Sequence, residues 1–146
     1  MKLSIATILL AAATSALAAP VADKRDGGFQ ISNLHARTAL DNTMSFDLLD
    51  TNNPSGTVSE HCNMIWPSTS APDQSATCGV AKYKLQFPDG FPSIGHFTMA
   101  IEREGADAIG GRAYFDENDG KWNCVDHPED MVKKDCVLAG NYFIPL

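Results

Sequence analysis

Hydrophobic residues recur at every second position through much of this chain, and a period of two commits a backbone to strands. Tyr83, Leu85 and Phe87 alternate with Lys82, Lys84 and Gln86, and Phe97, Met99 and Ile101 alternate with Thr98, Ala100 and Glu102. Met44, Phe46 and Leu48 alternate with Ser45 and Asp47, while Cys62, Met64 and Trp66 share one face of a strand that starts near Val58. Phe29, Ile31 and Asn33 take one face of an earlier strand, whose pattern weakens towards His35-Ala36-Arg37. Later strands are expected at 112–115 and 121–124, flanking a turn, and at 136–138 and 141–144. The connections 50–56, 67–73, 88–90 and 116–120 are rich in turn residues, and short polar turns between strands imply antiparallel pairing. A single helical turn is expected at 128–134, where Pro128 sits early and Lys133-Lys134 late, as helix ends prefer. The expected fold is all-β, with at most that one short helix. A barrel is preferred to a sandwich because closure removes exposed strand edges.

The N-terminus reads as a targeting segment. Met1-Lys2-Leu3 carries one positive charge and runs into the apolar stretch 4–14, too short to cross a bilayer as a mature helix. Ala16-Leu17-Ala18 fits the small-x-small rule of signal peptidase, so 1–18 is expected to be a signal peptide. The polar segment 19–25 then reads as a propeptide ending in the dibasic pair Lys24-Arg25, which leaves one domain over 26–146. From Asp26 onward there are eight Lys and Arg against seventeen Asp and Glu, a net charge of −9 against −7 for the whole chain. A field of that sign repels phosphates, which argues against nucleic acid and anionic membrane surfaces as partners. The expected location is extracellular.

Four cysteines, Cys62, Cys78, Cys124 and Cys136, form an even set in an oxidising compartment and read as two disulfides. Arithmetic allows three connectivities. Sequential pairing closes loops of 16 and 12 residue steps, each stabilising by roughly 3 kcal/mol through loop-closure entropy, and is the pairing favoured. A zinc site from His61, Cys62, Cys124 and His127 lacks closely spaced ligand pairs, so neither metal nor cofactor is expected.

Candidate chemistry is sparse. No Gly-x-Ser-x-Gly occurs, and no serine sits in a recognisable catalytic context. The acidic turn Asp116-Glu117-Asn118-Asp119-Gly120 resembles a calcium loop superficially. Its glycine comes one residue early, however, and its twelfth position holds His127 instead of a carboxylate, so it reads as a hairpin turn. His35, His61, His96 and His127, with Glu60, Glu102, Arg103 and Arg112, supply the residue types of a small secreted ribonuclease, in which imidazole and carboxylate share proton transfer while Arg steadies the phosphate. No spacing singles that set out, and the alternative for His96 is a strand residue whose ring tip reaches water. Trp66 and Trp122 each lie near a cysteine and read either as core or as ligand contacts. Phe87-Pro88-Asp89-Gly90-Phe91-Pro92 reads either as a partner-contact loop or as a cover over one end of the fold.

Taken in order, these features resemble the Alternaria major allergen family of small secreted fungal β-barrel proteins, which includes elicitor-like proteins of plant-pathogenic fungi. The matching residues are an Ala-Pro propeptide with a basic end, Phe29-Gln30-Ile31-Ser32-Asn33-Leu34, Ser45-Phe46-Asp47-Leu48, the pair Cys62 and Cys78, the strand Phe97-Thr98-Met99-Ala100-Ile101, and the pair Cys124 and Cys136. The resemblance implies a non-enzymatic apoplastic protein that binds host defence proteins or small phenolic ligands and modulates plant immunity. Only the cysteines carry over as site residues; no ligand-binding residue does. Family members that form a disulfide-linked dimer use a cysteine near the mature N-terminus, and Asp26-Gly27-Gly28-Phe29 has none, so a monomer or non-covalent dimer is expected. Expression through a secretory host tests the processing: intact mass and N-terminal sequencing are expected to give a chain starting at Asp26. A product retaining Lys24-Arg25 would remove the dibasic cut.

Overall fold

The computed structural model describes residues 27–70, 72, 77–78, 83–105 and 109–146. The expected signal peptide 1–18 and propeptide 19–25 lie outside the described residues, as do Lys82, Ala71 and Asp73. The described chain is all-β. Its ten strands are β1 (Gly28–Thr38), β2 (Asp41–Asp50), β3 (Val58–Pro67), β4 (Thr77–Cys78), β5 (Tyr83–Gln86), β6 (His96–Arg103), β7 (Ile109–Asp116), β8 (Trp122–Asp126), β9 (Lys134–Leu138) and β10 (Asn141–Pro145). All their pairings are antiparallel.

Seven strands form a larger sheet in the order β4-β3-β2-β1-β9-β8, with β10 also paired to β1, and β5-β6-β7 form a smaller one. Strand β1 is the axis of the larger sheet: one side pairs with β2 throughout, and the other is shared between β10 over its first half and β9 over its second. No ladder joins the two sheets among the described residues. They meet where β7 touches β10 and β4 touches β5. Gly111 on β7 makes the first seam possible, since a Cβ there would collide with the side chain of Ile144 on β10. One cluster of buried side chains serves both sheets, running from Phe29, Ile31, Met44, Phe46 and Leu48 to Leu85, Phe97, Met99, Ile101 and Phe115.

Two local readings of the sequence need correction. Asn33 does not continue the inward face of Phe29 and Ile31. The register shifts between Ser32 and His35, so Asn33 and Leu34 together oppose Phe46. Asn33 takes a left-handed backbone (φ 52°), is exposed and donates to Asp47 Oδ2 at 2.7 Å, and Leu34 and Ala36 turn inward in its place. Asn tolerates that conformation better than most residues, and a bulge of this kind flips the strand's later side chains to the other face. The turn 116–120 is likewise not a hairpin: β7 pairs with β6 and β8 with β9, so it carries the chain from one sheet to the other.

No helix occurs among the described residues. At 128–134 the amide of Val132 donates to Glu129 O at 3.2 Å, and Met131 is left-handed at φ 67°, which ends any helical path after one turn. The disulfides Cys62–Cys78 and Cys124–Cys136 each join residues directly opposite on neighbouring strands, with Cα atoms 4.0 Å apart.

The sheets are also tied by a buried ion pair. Asp50, at the end of β2, accepts from Arg103 Nη1 at 2.8 Å and from the Tyr83 hydroxyl at 3.0 Å, and its other oxygen accepts from the Asn52 amide at 2.9 Å. Asp50 belongs to the larger sheet, Arg103 and Tyr83 to the smaller. Removing one member of such a pair leaves the other charge buried without its counter-ion, so Asp50→Ala is expected to lose about 3–5 kcal/mol in urea unfolding. The double variant Asp50→Leu, Arg103→Met is expected to recover most of that loss. An Asp50→Ala protein as stable as wild type would remove the tie.

Candidate functional site

The inward face of β2 reads Asn42, Met44, Phe46, Leu48, Asp50, with a buried polar residue at each end. Burying a polar group is costly unless every hydrogen bond it loses to water is replaced. At one end Asp50 meets that condition. At the other, Asn42 is 7% exposed and its Oδ1 has no hydrogen-bond partner among the described residues. Directly across the ladder from Asn42 stands Trp66, 4% exposed, and its Nε1 has no partner either. An unmade acceptor and an unmade donor thus occupy one cross-strand pair.

Asn42 lines a cavity of about 380 Å³ at this end of the fold. Four parts of the chain build it. The end of β1 contributes Thr38 and the turn after β3 Ser68 and Ser70; the approach to β6 contributes Phe91, Pro92, Ser93 and Ile94; the facing ends of β8 and β9 and their connection contribute Asp126, Lys134 and Lys133. Phe91 packs edge-on against Trp66 with ring centroids 5.1 Å apart, and equally close to Phe87. The segment 87–92 therefore covers this end, and its turn places Gly90 at φ 76° with the Gly90 amide on Phe87 O. Behind Phe91 the rings of Phe97, Phe115 and Trp122 continue into the core. Trp122 differs from Trp66, being fully buried with Nε1 donating to Ile94 O at 2.8 Å. Of the two tryptophans singled out in the sequence, Trp66 is the one with its polar atom unused, and it packs behind Phe91, which lines the cavity.

The polar rim is held by a charge network. Lys134 Nζ lies 2.6 Å from Glu117 Oε2 and 3.3 Å from Asp126 Oδ1. The other oxygen of Glu117 meets His96 Nε2 at 3.2 Å, and His96 Nδ1 meets Asp116 Oδ1 at 3.1 Å. Glu117 reaches both partners because it crosses Gly95, where a Cβ would lie 2.8 Å from its carboxylate. Backbone bonds from Lys133 N to Thr38 O (2.8 Å) and from His127 N to Lys133 O (3.0 Å) fix the β8–β9 connection to the end of β1.

The remaining sequence candidates are dispersed. His35 pairs with Asp135 and His61 with Asp47 on the outer face of the larger sheet. Glu60 lies opposite Leu48, Glu102 and Arg112 border a shallow hollow on the smaller sheet, and Arg103 is committed to Asp50. His127 follows β8. In the acidic turn, Asp116 Oδ1 accepts from the amide and side chain of Asn118, and Asp119 Oδ1 accepts from the amides of Lys121 and Trp122, so these oxygens satisfy their own turn. Sequence reading missed Asn42, although extending the alternation of β2 by one step exposes it as a polar residue in an apolar register. No family model, curated protein or solved structure matches the chain.

Hydrogen bonding and burial set a pH window. Hydrogen bonding to Glu117 raises the Lys134 pKa, and burial raises that of Tyr83. Raised values give stability that is complete below the ordinary 10.5 and 10.0 and is lost as pH climbs through the folded values. The Asn118 amide lowers Asp116, and the Asn33 side chain followed by His61 lowers Asp47. Lowered values give stability that is present above the ordinary 3.8 and is lost as pH falls through the folded values. Urea unfolding across pH is therefore expected to show losses below about pH 4 and above about pH 10. Asp47→Asn with Asp116→Asn should flatten the acid limb, and Lys134→Met the alkaline one.

Proposed function

We propose that this chain is a secreted, non-enzymatic binding protein of the kind that the Alternaria-type resemblance implies, and that its end cavity takes a small hydroxylated aromatic ligand. The reading extends to a closed-barrel description of the two sheets and to an apoplastic role in plant immunity. Two disulfides are compatible with life outside the cell, and no helix of the described residues is long and apolar enough to cross a membrane. The observation that carries the proposal is the unused pair of Asn42 Oδ1 and Trp66 Nε1, since Asn42 lines a cavity of ligand size and Trp66 packs against Phe91 in its wall. A phenolic hydroxyl is complementary to that pair once a side-chain rotation opens the two buried atoms to the cavity: it then donates to the amide oxygen and accepts from the indole, while its ring packs against Phe91.

Calorimetry with p-cresol and with toluene, which has the ring but no hydroxyl, tests this. The protein is expected to prefer p-cresol by about tenfold, the worth of one or two hydrogen bonds. Trp66→Phe and Asn42→Leu are expected to abolish the preference. Asn42→Leu is also expected to unfold at higher urea, by about 1–2 kcal/mol, because it removes a buried acceptor that has no partner. No p-cresol binding at millimolar concentration would sink the small-ligand reading. For the wider role, infiltrating the purified domain into leaves of several hosts is expected to alter defence responses, and silence in all of them counts against it.

A further inference from the structure

A second cavity, of about 390 Å³, adjoins the first. Ser68 and Lys133 line both. The remaining walls are Ala39, Leu40, His127, Met131 and Val132, so the lining changes from mixed to mainly apolar across that shared rim. Leu40 and Met131 are 77% and 76% exposed, the two most exposed large hydrophobic residues among those described. Isolated exposed apolar side chains are ordinary, but two that border the same hollow, next to a cavity with unmade hydrogen bonds, form a continuous surface.

The backbone around this hollow is unusual. His127 and Met131 both adopt left-handed conformations, at φ 48° and 67°, and with Asn33 they are the non-glycine residues that do so among those described. Each such residue costs of order 1 kcal/mol and persists only where its surroundings enforce it. Val132, buried at the base, and the Lys133–Thr38 backbone bond supply that enforcement, and they hold Met131 at the surface. Methionine, unbranched and polarizable, adapts to irregular apolar partners.

We infer that the two cavities form one composite site, and that its ligand is an amphiphile with a hydroxylated ring in the first and an alkyl chain along Leu40 and Met131 in the second. This rests on the small-ligand reading above and specifies the chemistry of the ligand. Continuity through Ser68 and Lys133 selects a tail of the same molecule over a separate occupant. A second copy of this chain is disfavoured by its own charge, since the net −9 of residues 26–146 repels its like.

The test compares 4-hexylphenol with p-cresol by calorimetry on the full secreted protein and on its Leu40→Ser, Met131→Ser variant, with sedimentation velocity alongside. Both substitutions lie at exposed positions, so the variant is expected to fold. Wild type is expected to bind the hexyl compound about tenfold or more tightly than p-cresol, the effect of withdrawing a few methylenes from water. In the variant the ratio of the two affinities is expected to fall to about threefold or less, the residue of partial burial. Equal affinities in wild type, or a ratio that the variant leaves unchanged, overturn the composite site while leaving the phenol reading intact. Failure of wild type to bind either phenol removes both. A concentration-dependent dimer that the double substitution abolishes assigns Leu40 and Met131 to a second copy and overturns the inference.

Discussion

The relation between the two sheets depends on a carboxylate that has no access to water. Asp50 is fully buried, and taking a carboxylate out of solvent costs several kcal/mol unless the protein rebuilds its hydration shell. Here the shell consists of a guanidinium, a phenol and a backbone amide, drawn from β6, β5 and the turn after β2. Hydrophobic packing alone is non-directional and tolerates sliding of one sheet over another. A buried pair with one satisfactory geometry does not, so Asp50 sets where β5 and β6 sit against β2. The same choice positions β6 along its whole length, and with it Phe97 and, at the far end, His96.

Setting one end of β2 in this way gives the other end its meaning. Asn42 and Asp50 occupy equivalent inward positions, eight residues apart on the same face of β2. The fold satisfies one with three hydrogen bonds and leaves the oxygen of the other unmade beside a cavity. A core selected for stability alone has no use for Asn42, since leucine at that position would extend the run of Met44, Phe46 and Leu48. Polar residues that break an otherwise consistent pattern concentrate where a protein binds or reacts. The contrast between the two ends is therefore a stronger pointer to a site than the cavity volume.

Much of the architecture was legible in the sequence, because side-chain alternation is a local signal. Met44, Phe46 and Leu48, then Cys62, Met64 and Trp66, then Phe97, Met99 and Ile101 are all buried, and each set could be read without knowing what it packs against. The bulge at Asn33 was half legible. The apolar phase slips from Phe29 and Ile31 to Leu34 and Ala36, but a slip is also what a fading strand looks like. The destination of the turn 116–120 was not legible at all, since two strands joined by a short polar turn read as a hairpin whether or not they pair. The end cavity was hidden for a related reason. Its walls come from four separated segments, and only the long-range register puts Asn42 opposite Trp66, the two residues with unmade polar atoms.

The candidate site is also braced against collapse. Unused polar atoms tempt a structure to close over them. Two devices oppose that here. The rings from Trp122 through Phe97 to Phe91 and Trp66 form a continuous stack of edge and face contacts, so the aromatic wall cannot move without disturbing the core. On the polar side, Lys134 is held between Glu117 and Asp126, and Glu117 is itself fixed over Gly95 and against His96. Of the two lysines that line the cavity, Lys134 is thus committed to carboxylates of its own chain. With both walls anchored, the cross-strand pair stays desolvated and unsatisfied.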